Sequence, residues 1–268
     1  GKSSREWVDR QLHDPYVIRA REAGYRARAA YKLLEIDEKF KILKRGSRII
    51  DLGCAPGGWL QVAFEKGAAR IAGVDLLPVE PVGEAVIFMG DIAEPGMTDK
   101  LIRALGEKPS LVLSDMAANT SGHKQTDHIR TVGLAELGAQ FAIENLAKNG
   151  AFVAKVFQGG AQGDLLELLK ANFDEVRHWK PPASRPESPE TFVIARATAD
   201  SYRGRSRVVA QASLRRPNPQ SPARTRARQV RYRRHRPYTC PRRAGSQSLA
   251  RHPRCRLRVV EKRPELRS

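Results

Sequence analysis

Eight residues, Asp51-Leu52-Gly53-Cys54-Ala55-Pro56-Gly57-Gly58, constrain this chain more than any other stretch. The apolar run before them, Arg48-Ile49-Ile50, reads as a short buried strand. Trp59-Leu60-Gln61-Val62-Ala63-Phe64 follows and reads as the first turns of a helix. Strand, glycine turn and helix make the nucleotide-binding corner of an open α/β sheet, where ligands sit at the carboxyl ends of the strands. Glycine lets backbone come close to a ligand because no Cβ intervenes. The dinucleotide fingerprint is excluded: three residues separate Gly53 from Gly57, so G-x-G-x-x-G is absent. An acid, Asp51, opens the motif. That combination suits a ligand without a pyrophosphate, with S-adenosylmethionine the leading candidate. The plainer alternative is an ordinary tight turn.

The rest of the first 200 residues repeats the strand–helix alternation. Arg70–Asp75, Val86–Asp91, Leu111–Asp115 and Ala151–Phe157 read as strands, and three of them end in an acid. Helices are expected over 98–105, 127–147 and 163–171, and further strands over 176–179 and 191–195. This alternation predicts a doubly wound, mostly parallel sheet. Asp75 lies 24 residues beyond Asp51, a spacing that suits a carboxylate on ribose hydroxyls. Asp91 is placed to accept from an adenine amino group, and Asp115 points into the same crevice. Lys155 stands in an otherwise apolar run, where an ammonium is costly without a partner or an open edge. The polar loops 116–124 and 180–189 are read as substrate-facing, Glu190 closing the second.

Charge divides the chain. Residues 201–268 hold 21 basic and two acidic side chains, so the entire net charge of +19 sits there. Residues 1–200 are neutral overall, and any nucleic-acid surface on them must be local. The best local patch is a helical segment within residues 1–45, with Pro15 at a helix start and Arg19, Arg21, Arg26 and Arg28 interleaved with Tyr16, Tyr25 and Tyr31. From Arg26 to Phe40 the residues Ala30, Leu33, Leu34 and Phe40 share one helical face. Lys32 lies about 200° from Ala30 and points away from that stripe. The tail from Ser201 lacks apolar periodicity and is rich in Arg, Pro, Ser and Ala. Two readings stand: a disordered basic RNA-binding arm, or translation of a GC-rich gene in the wrong frame. The three cysteines show no C-x-x-C and fit a reducing compartment. The histidines show no metal-ligand spacing, so no metal is expected. With no apolar run of spanning length, the expectation is a cytoplasmic, monomeric protein.

Six segments together carry a resemblance. They are Arg28 to Leu33, Asp51 to Trp59, Asp75 to Pro78, Ser114 to Ala117, Lys155 to Gly159, and Ser184-Arg185 with Glu190. Residues 3–196 resemble the FtsJ/RrmJ family of ribosomal RNA 2′-O-methyltransferases. The resemblance implies a class I S-adenosylmethionine-dependent methyltransferase fold, Rossmann-like, with a seven-stranded sheet whose last strand is antiparallel and helices on both faces. It implies a catalytic tetrad of Lys32, Asp115, Lys155 and Glu190. Cofactor contacts are implied at Gly57, Trp59, Asp75, Asp91 and Asp115, beside Asp51 and Gly53 of the turn. The implied substrate is a uridine 2′-hydroxyl in the A-loop of 23S rRNA within the 50S subunit. In this reading residues 1–200 are the methyltransferase domain and 201–268 an appendage. A tRNA or mRNA-cap methyltransferase is the rival substrate class. A non-catalytic RNA-binding assembly factor is the rival of another class, disfavoured because a binding module has no need of Lys155 in an apolar strand. Ala118 stands where the family usually has proline, and the arginine-rich tail has no family counterpart.

Overall fold

The computed structural model describes residues 13–117, 123–158 and 163–197. The tail 201–268, most of the loop 116–124 and the first twelve residues lie outside that set, so the expectations placed on them are not addressed structurally.

Two helices lead into the sheet. α1 (Pro15–Glu22) begins with proline at its first turn and with Asp14 as cap, whose carboxylate accepts from the Tyr16 amide at 3.0 Å. α2 (Ala29–Phe40) buries Ala30, Leu33 and Ile36. The expected apolar stripe shifts slightly, with Leu34 and Phe40 only half-buried. Then follow β1 (Arg48–Leu52), α3 (Gly58–Glu65), β2 (Arg70–Asp75), β3 (Val86–Met89), α4 (Met97–Leu105), β4 (Leu111–Ser114), α5 (Lys124–Asn145), β5 (Ala151–Phe157), α6 (Gly163–Asn172), β6 (Glu175–Trp179) and β7 (Glu190–Arg196).

The sheet has seven strands in the order β3-β2-β1-β4-β5-β7-β6. β3 through β5 are parallel, and β7 runs antiparallel between β5 and β6. Both faces are covered, as a parallel sheet requires. Ile50, Leu52, Phe152 and Ala154 pack against α4, α5 and α6 on one face. Ile49, Leu111, Leu113, Val153 and Phe192 meet α2 and α3 on the other. Alternate residues of one strand therefore serve opposite cores, and each fully buried large side chain contributes roughly 1.5–3 kcal/mol. Chain order reverses between β1 and β4, which opens a crevice at their carboxyl ends. Asp51 and Gly53 stand on one side of that crevice and Asp115 on the other. One expected boundary moves: β3 ends at Met89, and Asp91 sits in the turn beyond it. There Gly90 donates to the Asp75 carbonyl at 2.9 Å and closes the ladder.

Candidate active site

Two ion pairs lie near the crevice. Register sets the first: Ser114 pairs with Ala154, so Asp115, one residue further, comes level with Lys155. The Lys155 Nζ donates to the Asp115 backbone carbonyl at 2.9 Å and lies 3.1 Å from its Oδ1. Lys155 is only 7% exposed, so it does not snorkel into solvent. Burial alone would push the Asp115 carboxyl up. The ammoniums of Lys155 and, secondarily, Lys32 outweigh that and hold it below the ordinary carboxylate range.

Lys32 and Glu190 make the second pair, with Nζ 2.7 Å from Oε1 and 2.8 Å from Oε2. The helical angle pointed Lys32 away from the buried stripe, and that face proves to be closed by β7 rather than by water. Its Nζ lies 5.8 Å from the centre of the Phe192 ring, and Phe192 is the cross-strand partner of Lys155. The sheet thereby brings all four residues of the expected tetrad into one neighbourhood. Sequence reasoning gave no role to three supports. The Ser184 hydroxyl donates to Glu190 Oε1 at 2.8 Å. Glu35 accepts from the Ala183 amide at 2.7 Å and from the Tyr16 hydroxyl at 2.8 Å. Asp14 binds Arg28 and, at 3.3 Å, Arg185. These partners lie up to 171 residues apart, beyond the reach of any local signal; only the Ser184-Arg185 segment hinted at them.

A cavity of about 130 Å³ adjoins the pairs, lined by Gly53, Asp75, Leu76, Asp91, Ile92, Met116 and Leu134, among others. It pairs apolar walls for a flat ring with two carboxylates, acceptors suited to ribose hydroxyls and an exocyclic amine. These residues fit a nucleoside cofactor. Asp75 is already ordered by two backbone amides, Ala55 to Oδ2 and Leu77 to Oδ1, both at 2.9 Å. Gly53 has φ +79, and a Cβ there would stand 2.9 Å from Met116 backbone, so only glycine lets the two walls meet. Asp51 lies beneath, 1% exposed, its carboxylate oxygens without hydrogen-bond partners. Burial first, then Asp115 and Asp75, pushes it well above the carboxylate range. Gly57 and Trp59 lie off the cavity wall. Trp59 is buried, its indole donating to the Ala29 carbonyl at 2.8 Å and its ring tilted against Phe192.

The sequence treats four arginines as one phosphate-facing set, and the structure divides them. Arg19 stacks over the Tyr16 and Tyr31 rings, and Arg21 is exposed. Arg28 is spent on Asp14 and the Ala183 carbonyl, and Arg26 on three other carbonyls.

Sheet order, a crevice cavity lined by two carboxylates and paired lysines define the class, an α/β methyltransferase. Comparison with known proteins sharpens it. The FtsJ-like methyltransferase model matches residues 25–198. Among similar proteins is the ribosomal RNA large subunit methyltransferase E of Hyphomonas neptunium, 57% identical over 195 residues, covering 73% of this chain and 83% of that one. The protein of the same name from Sphingopyxis alaskensis is 59% identical over 194 residues, covering 72% and 84%. A solved ribosomal RNA methyltransferase from Plasmodium falciparum superposes with a TM-score of 0.59 at 29% identity, over 65% of this chain and 98% of its own. The chain belongs to the FtsJ-like methyltransferase family. No helix among its described residues is long and apolar enough to cross a membrane.

Proposed function

We propose that this chain methylates a ribose 2′-hydroxyl of large-subunit ribosomal RNA, with S-adenosylmethionine as donor. The observation that supports it most is the Lys155–Asp115 pair beside the cavity that holds Asp75 and Asp91, with Lys32–Glu190 close by at the Phe192 ring. Relatives 57% and 59% identical over the aligned residues are named for ribosomal RNA methylation.

S-Adenosylmethionine supplies a methyl group already activated by the sulfonium, so the protein's task is chiefly alignment. Asp75 would hold the ribose hydroxyls of the cofactor and Asp91 its adenine amino group, while Gly53 and Met116 shape the wall. Asp51, Gly57 and Trp59 support the turn from beneath. On the substrate side Lys155 donates to the Asp115 backbone carbonyl and pairs with its carboxylate. Lys155 would orient the substrate hydroxyl and, as the neutral amine, take its proton while the methyl group passes to the oxygen. Glu190, steadied by Ser184, holds Lys32, whose charge adds to that of Lys155 in lowering the Asp115 carboxyl. Arg19 and Arg21 would meet RNA phosphates and set register without reading sequence. The resemblance directs the reaction to a uridine of the A-loop in the 50S subunit, by a cytoplasmic monomer.

Incubating the protein with labelled S-adenosylmethionine and 50S subunits, followed by mapping of the modified nucleotide, tests the proposal. Label on a single ribose of the large-subunit RNA is expected. Label on a base, or equal labelling of free transfer RNA, would contradict it.

A further inference from the structure

Arg26 sits in the short connection between α1 and α2, on the expected RNA-facing segment. Its exposed guanidinium makes three hydrogen bonds to backbone. Nη1 donates to the carbonyls of Pro56 at 3.2 Å and Glu80 at 2.6 Å, and Nη2 to that of Pro81 at 2.6 Å. Pro56 belongs to the glycine turn after β1, whereas Glu80 and Pro81 belong to the loop after β2. The Arg26 amide also donates to Gln61 Oε1 of α3 at 2.9 Å, and Gln61 Nε2 returns a bond to the Gly24 carbonyl at 2.9 Å. Gly57, at φ +110, completes the fit: a Cβ there would stand 2.9 Å from both Arg26 Nη1 and Val82 Cγ2.

The same two loops are joined a second time at the cavity, where Asp75 accepts from Ala55 in one and Leu77 in the other. A carboxylate on the cavity wall and a guanidinium away from it therefore staple one pair of loops. Arginine suits the outer staple, because it presents five donors in a planar fork and accepts nothing. A lysine ammonium on the same stem is a point charge and cannot span the carbonyls equally.

We propose that Arg26 is a positioning residue for the cofactor. It holds the Ala55–Gly57 turn and the 76–82 loop at the separation the nucleoside cavity requires, and so sets affinity for S-adenosylmethionine without touching it. The proposal rests on the assignment of that cavity to S-adenosylmethionine. It reverses the phenotype expected of a phosphate contact, which would weaken RNA binding and leave the cofactor alone.

Calorimetric titration of the full chain with S-adenosylmethionine, beside steady-state methylation of 50S subunits, decides the matter. Arg26→Ala is expected to raise both Kd and KM for S-adenosylmethionine by at least about tenfold, the scale of one lost charge-assisted hydrogen bond. The KM for 50S subunits should stay within roughly twofold, and Arg26→Lys should recover only part of the loss. An unchanged cofactor Kd overturns the proposal. Accompanied by a raised KM for 50S subunits, it would make Arg26 a phosphate contact; accompanied by a lowered melting temperature alone, a mere brace. If Arg26→Ala does not fold, Arg26→Lys carries the same comparison. Wild-type protein that binds no S-adenosylmethionine overturns the cavity assignment and the proposal with it.

Discussion

Lys155 and Lys32 each face a carboxylate, yet the fold reaches the two pairs by different routes. Lys155 on β5 and Asp115, the residue after β4, are 40 residues apart, and the parallel register of the two strands makes them neighbours. Lys32 and Glu190 are 158 residues apart and join a helix to the first residue of β7. Their meeting depends on the 180–189 loop, which presents Ser184 to Glu190 and is itself pinned by Glu35, Arg28 and Asp14. The inner pair is a property of the sheet, and the outer pair a property of how the first helices dock on it. One consequence is that damage at the inner pair should fall on chemistry and core together. Damage at the outer pair should be graded by how much of the loop network survives.

The largest effect on stability is expected at the inner pair. Asp115→Ala leaves the nearly inaccessible Lys155 ammonium without its carboxylate, at a cost of roughly 3 kcal/mol in chemical denaturation. The pH dependence has a definite sign. A carboxyl held below its ordinary range stabilises the fold fully above about pH 4, and that contribution is lost as pH falls through the lowered folded-state value. Wild type and Asp115→Ala should therefore converge in stability on the acid side. A gap that persists to the lowest pH would mean that packing, not charge, holds Asp115 in place.

At the outer pair, Glu190→Ala should cost less, about 1–3 kcal/mol, because the Lys32 stem can move. Methyl transfer should also slow, though less than on loss of Lys155. Equal rate losses at both pairs would erase the distinction drawn between them. Ser184→Ala should be mildest, about 0.5–1.5 kcal/mol for one hydrogen bond, with transfer slowed and cofactor affinity unaltered. A Ser184→Ala rate matching wild type would show that Glu190 needs no steadying.

The contrast also explains what could be read from the chain beforehand. Hydrophobic runs ending in acids located β1, β2 and β4, an apolar run broken by one lysine located β5, and parallel pairing then carries Asp75 and Asp115 to one crevice without further information. Lys155 announced itself because an ammonium in an apolar strand demands a partner. Lys32 did not: helical angle alone gave it a solvated face, and only the resemblance placed it with Glu190. The insertion of β7 between β5 and β6 leaves no mark in local periodicity. The arginines misled for a related reason. Composition marks a basic segment, but cannot tell Arg21 from Arg26, likewise exposed yet bonded to carbonyls 30 to 55 residues away. Gly57, a cofactor contact implied by the resemblance, has Arg26 and Val82 where a Cβ would stand, a fit no local pattern records.

Single-turnover methylation of 50S subunits by Lys155→Ala tests the central claim most directly, with cofactor affinity measured in parallel. The account predicts a folded protein with ordinary affinity for S-adenosylmethionine and a transfer rate lowered by about 10²–10⁴-fold, the usual contribution of a general base. Lys155→Arg should not restore it, since a guanidinium stays protonated. A Lys155→Ala protein that methylates at close to the wild-type rate would contradict the account. The Lys155–Asp115 pair would then be a structural tie of the sheet.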